Sequence, residues 1–178
     1  MRKLLFGLAL CLPLLASGQA LERAQHAIDA GRVGEAIGLL RPLAHQDHDG
    51  AQWALARLLE LPGRQRNLGE SLRWYGRLAA KGSPEAMENL GLAHYLGRGV
   101  PLDAAQAAEW FRQAGERGEV GSQYLLASML EAGLGVPKDL RLARAWYARA
   151  AEQGDLAAAA KRDELDRRLD AEAATAPP

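Results

Sequence analysis

His45, Asp47, His48 and Asp49 form the densest group of potential metal ligands in the sequence. Imidazole and carboxylate groups both bind divalent transition metals. The four residues lie in a short polar connector between two predicted helices, however, where an aspartate is equally suited to cap the following helix, and Asp47 and Asp49 are both placed to do so. We therefore predict no metal site, and keep a site in this connector as the alternative.

Other motifs that could support chemistry lack the context they need. Gly97 and Gly99 precede a predicted helix, but no strand pattern leads into them, so they do not match a nucleotide-binding fingerprint. The sequence has no Gly-x-Ser-x-Gly and no His-Glu-x-x-His motif, and Cys11 is its one cysteine. His94 falls on a predicted core-lining helix, where a hydrogen-bonded packing role is favoured over catalysis. We predict that the protein is not an enzyme, with no catalytic residues and no cofactor.

The charge balance argues against nucleic acid as a partner. The 178 residues include 22 Lys and Arg and 22 Asp and Glu, for a formal net charge of zero. Binding to nucleic acid normally requires a basic patch. The sequence therefore predicts no nucleic-acid partner.

The first twenty residues have the pattern of a cleaved export signal. The basic pair Arg2-Lys3 precedes an apolar run from Leu4 to Leu15, and small residues follow. The apolar run is shorter than the roughly twenty residues of a membrane helix. We expect cleavage after Ala20, with Gly18 as the alternative, and a periplasmic or secreted mature protein without stable membrane insertion. A retained anchor and lipidation at Cys11 are less favoured.

A block of the sequence recurs at a spacing of 36 residues. Self-similarity at a fixed period of 20 to 50 residues indicates a repeat architecture. The first copy contains Gly97, Gly99, Asp103, Trp110 and Phe111. In the second copy the corresponding residues, in the same order, are Gly133, Gly135, Asp139, Trp146 and Tyr147.

Each position of this pattern has a structural explanation. The glycines permit the positive φ angles that end one helix and reverse the chain. Asp103 and Asp139 are predicted N-caps of the next helix. The aromatic pairs fall on the inward face of that helix, so Trp110 and Trp146 are interpreted as core residues and not as ligand platforms.

The repeat pattern predicts an all-α fold, an α-solenoid of stacked antiparallel helix pairs. The pairs cover about residues 21–46, 50–82, 83–118 and 119–154, and the first of them looks like an ordinary tetratricopeptide hairpin. Residues 155–173 are predicted to form a capping helix, with Arg162, Arg167 and Arg168 on the polar outer face that a terminal repeat must present. Residues 174–178 are predicted to form a flexible tail.

The pattern of residues in one copy resembles the Sel1-like repeat: Ala86, Leu90-Gly91, Gly97, Gly99-Val100, Asp103, Ala107, Trp110-Phe111, Ala114 and Gly118. The resemblance is specific over residues 83–154, fair over 51–82 and weak before that. It implies a superhelix of helix pairs, and a scaffold or adaptor that binds other proteins.

In such a superhelix the first helices of successive repeats line the concave side. The 100° step of a helix places a set of seven residues on this face, opposite the buried positions. They include the residue types enriched at binding hot spots, and we predict that they contact a partner: Trp53, Arg57, Glu88, Leu92, Tyr95, Tyr124 and Ser128. A role of Trp53 and Tyr124 in packing against adjacent helices is the alternative.

A periplasmic adaptor is the favoured function, followed by a secreted effector or enzyme regulator and, last, by a hydrolase or metal-binding protein.

Overall fold

The computed structural model describes residues 8–175, with side chains from 17 to 174. Within this range every element of regular secondary structure is an α-helix, no strand is present, and no helix combines the length and the apolar character needed to cross a bilayer. The described helices are α1 (Leu8–Asp29), α2 (Val33–His45), α3 (Asp49–Glu60), α4 (Leu68–Ala80), α5 (Pro84–Leu96), α6 (Ala104–Glu116), α7 (Val120–Ala132), α8 (Leu140–Glu152) and α9 (Leu156–Thr175).

The helices belong to two compact units, one up to Leu78 and one from Ala79 onward. In the first unit α1 packs on α2 and α2 on α3, while α3 meets α4 through the rings of Trp53 and Tyr75. In the second unit each helix from α5 to α9 packs on the next. Packing between sequence neighbours is typical of repeat proteins.

Parts of the two chain ends lie outside the described residues. These parts include Met1–Gly7 of the predicted export signal, the side chain of Cys11, and residues 176–178 of the predicted tail. Helix α1 begins at Leu8 and continues through Ala20, so it starts earlier than the hairpin predicted from Leu21. Helix α9 ends at Thr175, two residues into the predicted tail.

Side chains cap the helices at the repeat positions. The Oδ1 atoms of Asp103 and Asp139 accept hydrogen bonds of 2.9 Å from the amides of Gln106 and Leu142. These bonds satisfy amides that have no partner inside the helix.

The cap of α3 differs from the prediction. Neither Asp47 nor Asp49 caps this helix, since Nδ1 of His48 accepts the hydrogen bond from the Ala51 amide at 3.2 Å. Asp47 has a positive φ of 68°, and its carboxylate accepts a hydrogen bond from Gln52 instead. The left-handed turn at Asp47 therefore brings His48, and not an aspartate, to the capping position.

The glycine loops end one helix and also contact an adjacent repeat. Gly97 and Gly133 cap α5 and α7 in the left-handed conformation, with φ angles of 65° and 74°. Gly135 has a φ of 71°, and a Cβ atom on it would collide with the backbone carbonyl of Ala104 and lie 2.7 Å from its Cβ. The loop after α7 thus lies directly against the start of α6.

The aromatic pairs of the second helices are buried to different degrees. Phe111 and Tyr147 are fully enclosed, and Trp146 is 7% exposed. Trp110 was predicted to be a core residue but is half-buried. The Phe111 ring fills the space above Gly91, where a Cβ atom would lie 2.6 Å from the ring. Core packing in this repeat therefore relies on the second aromatic of the pair and on a glycine facing it.

Candidate functional site

The residues predicted to contact a partner lie on the first helix of each repeat, and we call them the first-helix strip. Its members in the first unit are Trp53 and Arg57 on α3. Its members in the second unit are Glu88, Leu92 and Tyr95 on α5, with Tyr124 and Ser128 on α7. Arg57 and Ser128 are exposed, while the other five side chains are half-buried. No strip residue is part of the fully enclosed core, so each has some surface available to another molecule.

The aromatic members of the strip also pack inside their own repeats. Trp53 meets Tyr75 edge to face with ring centroids 5.4 Å apart. Tyr124 meets Tyr147 in the same way at 5.2 Å, and Tyr95 meets Phe111 at 6.3 Å. Such contacts add about 0.5–1.5 kcal/mol beyond simple burial. The strip aromatics therefore have a structural role in addition to any role in binding.

Glu88 is a half-buried carboxylate without a salt bridge among the described residues. Its Oε1 atom lies so close to Gly121, in the first turn of α7, that a Cβ atom on that glycine would collide with it. Burial raises the pKa of Glu88 above its ordinary value, and the negative charges of Glu119 and Glu85 add to the effect. The charged form of Glu88 is therefore less favourable in the folded protein than in the unfolded chain.

We expect Glu88→Gln to stabilise the second unit at neutral pH. Because the folded pKa of Glu88 is raised, its contribution to stability is present below the ordinary value of 4.5 and is lost as the pH rises through the folded pKa. The stability advantage of the glutamine variant should consequently grow from pH 4.5 toward neutrality. Urea denaturation followed by circular dichroism at a series of pH values measures this difference.

Glu152→Gln is the control, because it removes an exposed carboxylate from α8. A pH-dependent gain of equal size in this control would show that the effect arises from net charge and not from the environment of Glu88.

Glu131, beside the strip on α7, is the centre of a polar network. One of its carboxylate oxygens accepts a hydrogen bond from the Tyr147 hydroxyl at 3.2 Å. The other forms a salt bridge of 2.9 Å with Arg168, and Lys161 lies 3.7 Å from the carboxylate. Burial and the charge of Glu131 together raise the pKa of Tyr147. In the first unit Tyr75 occupies the position of Tyr147, and burial together with the charge of Glu60 raises its pKa in the same way. Glu60 also accepts a hydrogen bond from the Ser71 hydroxyl at 3.3 Å.

The network corrects the prediction for the capping helix. Arg168 was placed on the outer polar face, but it turns toward α7 and pairs with Glu131. Arg162 forms its ion pair with the adjacent Asp163, and Arg167 is exposed as predicted. Lys161 and Arg168 are seven residues apart, and hence on one face of α9, which is the sequence signal that could have indicated a shared acidic partner.

The residues considered for metal binding have other roles in the structure. His48 caps α3, Asp47 accepts a hydrogen bond from Gln52, and the His45 ring packs against Trp74 with centroids 5.0 Å apart. Within the described part of the chain, no three His, Cys, Asp or Glu side chains are grouped to hold a metal ion. His94 was expected to form a hydrogen bond, but its buried Nδ1 atom has no partner among the described residues.

The second unit also has a groove between α6 and α8. Its volume is about 420 Å³, and its apolar lining includes Leu126, Leu130 and Trp146. Polar side chains, among them Glu109 and Arg112, are at its rim, where these two form a salt bridge with each other. The sequence interpretation missed this groove because it treated the second helices as purely structural.

Comparison with known families gives three consecutive matches. The model of the Sel1 repeat matches residues 50–83, 84–119 and 120–155, which together make up more than half of the chain. No curated protein sequence matches the chain.

Solved structures show the same architecture. A protective antigen of uropathogenic Escherichia coli with an SLR fold is 30% identical with a TM-score of 0.70, and the match covers 80% of this chain but only 32% of the antigen. A Sel1 repeat protein from Oxalobacter formigenes is 35% identical with a TM-score of 0.63, over 70% of this chain and 95% of that protein. Helicobacter pylori cysteine rich protein B, at 21% identity and a TM-score of 0.57 over 68% and 92% of the two chains, shares the fold.

These matches confirm the predicted all-α solenoid of helix pairs with a C-terminal helix. Sel1 repeats form a scaffold fold that is not itself catalytic, and proteins built from them generally mediate protein–protein interactions. Three matched repeats and the shared helix-pair architecture show that this chain belongs to the Sel1 repeat family.

Proposed function

We propose that the protein is an exported interaction scaffold that binds a protein or peptide partner through its first-helix strip. The observation that carries this proposal is the exposure pattern of α5 and α7. Leu92 on α5 and Tyr124 on α7 are half-buried and Ser128 on α7 is exposed, although the opposite faces of the same helices are enclosed. Partly exposed apolar and aromatic side chains with polar neighbours are the usual composition of a binding surface.

Export is the second part of the proposal. It is supported by the basic, apolar and small-residue order of residues 1–20, which is the order of a signal peptide. Cell fractionation with antibody detection tests it, together with the N-terminal sequence of the mature chain. We expect the protein in the periplasm, beginning at Leu21. A cytoplasmic protein that retains residues 1–20 would contradict this part.

The likeness to a protective antigen favours a second candidate function. That antigen is 30% identical to this chain over the matched region. A secreted effector, which modulates an enzyme or envelope component by binding to it, would use the same first-helix strip. Recovery of the protein in the culture medium would favour this candidate over a periplasmic adaptor.

Substitutions in the strip should weaken partner binding. Affinity capture with mass spectrometry first identifies the partner, and titration then measures the variants. We expect Trp53→Ala or Tyr124→Ala to weaken binding by about 2 kcal/mol, roughly thirtyfold, which is the effect of losing a hot-spot aromatic. Because both rings also pack internally, Ser128→Arg is a third variant that adds bulk and charge at an exposed position.

Ala145→Arg is the matched control for Ser128→Arg. Ala145 is exposed on the second helix α8, so the control adds the same side chain outside the strip. The control should bind like the original protein. Unchanged binding by the folded Ser128→Arg, Trp53→Ala and Tyr124→Ala variants would exclude the strip as the contact surface.

A further inference from the structure

An unexplained positive charge lies on the second helices of the first unit. A cleft of about 190 Å³ between α2 and α4 is lined by His45, Glu70, Arg73, Trp74 and Arg77. The first-helix strip does not include these residues. They form a separate feature, which neither the fold nor the proposed function explains.

The only carboxylate in the cleft is already occupied. Glu70 accepts hydrogen bonds from Nε and Nη2 of Arg41 at 3.1 and 3.0 Å, which is a bidentate salt bridge. The indole N–H of Trp74 also points to Glu70, at 3.4 Å. The negative charge of Glu70 is therefore balanced by Arg41, and not by the arginines of the cleft.

Arg73 and Arg77 are left without an acidic partner. They are exposed, and neither forms a salt bridge with any residue in the described part of the chain. Their four-residue spacing places them side by side on α4, where two like charges destabilise a helix by a few tenths of a kcal/mol. Local conflicts of this kind are expected where a side chain serves a function other than stability.

The buried indole of Trp74 holds the charged groups in position. The Arg77 guanidinium stacks on its ring at 4.7 Å, and the His45 ring meets it edge to face. In the second unit Arg149 stacks on Trp146 in the same way, at 4.5 Å. However, the position corresponding to Arg73 holds Glu109 in one repeat and Ala145 in the next. The paired, unneutralised guanidinium groups are thus a feature of α4 and not of the repeat in general.

We propose that this cleft is a binding site for the carboxylate side chains of an acidic peptide segment. The guanidinium group of Arg73 forms charge-assisted hydrogen bonds with a glutamate or aspartate of the ligand, and Arg77, held on Trp74, contributes a second set. The site is on α2 and α4, so it adds a second contact surface that is independent of the first-helix strip.

The charge distribution favours a peptide over a membrane surface. Recognition of anionic lipid normally requires clusters of about four to eight basic residues. The cleft provides two unpaired arginines and His45, beside a neutral Arg41–Glu70 pair. A small recessed site of this kind fits one or two carboxylates.

The test uses the full chain and a fluorescein-labelled hexaglutamate peptide at low salt, with binding measured by fluorescence anisotropy. We expect the Arg73→Gln/Arg77→Gln double variant to bind the peptide at least about tenfold more weakly, because two charge-assisted contacts are lost.

Arg112→Gln is the matched control, because it removes an arginine from the corresponding helix of the second unit, where Arg112 already pairs with Glu109 and Glu116. It should bind the peptide within about twofold of the original affinity, since it lies outside the cleft. Equal binding by the double variant and the original protein would overturn the proposal.

Two further probes distinguish other sources of negative charge. Inorganic phosphate and vesicles of equimolar phosphatidylcholine and phosphatidylserine are each tested in place of the peptide. Arginine-dependent binding of either probe without binding of hexaglutamate would overturn the peptide assignment. First-helix strip variants should bind hexaglutamate normally, so the two proposals can fail separately.

A spectroscopic readout keeps the proposal testable if a variant is unstable. The chain has four tryptophans, and the indole N–H of Trp74 donates to Glu70 within the cleft. In the NMR spectrum of the unmodified protein, hexaglutamate should change the chemical shift of the Trp74 indole N–H. This resonance is assigned by its disappearance in the Trp74→Phe variant. The signal of Trp146 should remain unchanged. A Trp74 signal that does not move at saturating peptide would contradict the site.

Discussion

Gly135→Ala should be the most damaging single-methyl substitution in the second unit, with a loss of about 4 kcal/mol in the free energy of unfolding. Two costs combine. Alanine is strained at a φ of 71°, and its methyl group would collide with the carbonyl of Ala104. Backbone atoms cannot rotate away as a side chain does, so the loop after α7 must separate from α6. Urea denaturation followed by circular dichroism measures the loss.

Gly31→Ala separates the two costs. Gly31 has nearly the same φ, 69°, but a Cβ atom on it would meet no atom within 4 Å. This variant should lose only the left-handed strain, about 1–2 kcal/mol. If both variants lost the same free energy, the contact between Gly135 and Ala104 would contribute nothing to stability.

Gly91→Ala is the second substitution with a large expected effect. The added methyl would lie 2.6 Å from the ring of Phe111, which is completely buried. Overpacking of a core costs about 1–3 kcal/mol, and the better helix propensity of alanine recovers at most about 1 kcal/mol of this. We expect a net loss of roughly 1–2 kcal/mol in the free energy of unfolding. The same denaturation experiment measures it.

Gly76→Ala is the matched control, since Gly76 lies inside α4 and a Cβ atom on it would meet nothing within 4 Å. This control should gain about 0.5–1 kcal/mol from helix propensity alone. The double variant Gly91→Ala/Phe111→Leu provides the second check, because a smaller side chain at 111 makes space for the methyl. If Gly91→Ala gained stability as Gly76→Ala does, the proposed steric conflict with Phe111 would be wrong.

The features predictable from sequence are those that depend on near neighbours in the chain. The helix-pair repeat follows from the 36-residue spacing, and the capping roles of Asp103 and Asp139 depend on amides three residues away. The cap of α3 was predicted wrongly because the left-handed turn at Asp47 rotates His48 into place. Residue propensities alone do not predict which of these neighbouring polar residues, Asp47, His48 or Asp49, caps the helix.

Contacts between distant residues were beyond the sequence pattern. Arg168 and Glu131 are 37 residues apart, so their salt bridge depends on how α9 packs against α7. The half-buried position of Trp110 depends likewise on its surroundings, although its sequence pattern is the same as that of the buried Trp146.

The candidate strip could be located by helix periodicity, but its chemistry could not. The sequence placed Glu88 at the position held by Trp53 and Tyr124 in the other repeats. The pKa of Glu88 is raised by burial and, secondly, by the charge of Glu119, and both depend on tertiary packing.

The close contact between Gly135 and Ala104 limits how such a chain can change in length during evolution. The contact joins the loop of one repeat to the second helix of the repeat before it, so an insertion within residues 133–135 would disturb two repeats at once. Duplication or deletion of a complete 36-residue block would instead replace one such junction with an equivalent one. Whole-block changes would therefore lengthen or shorten the first-helix strip in fixed increments while each junction stays intact.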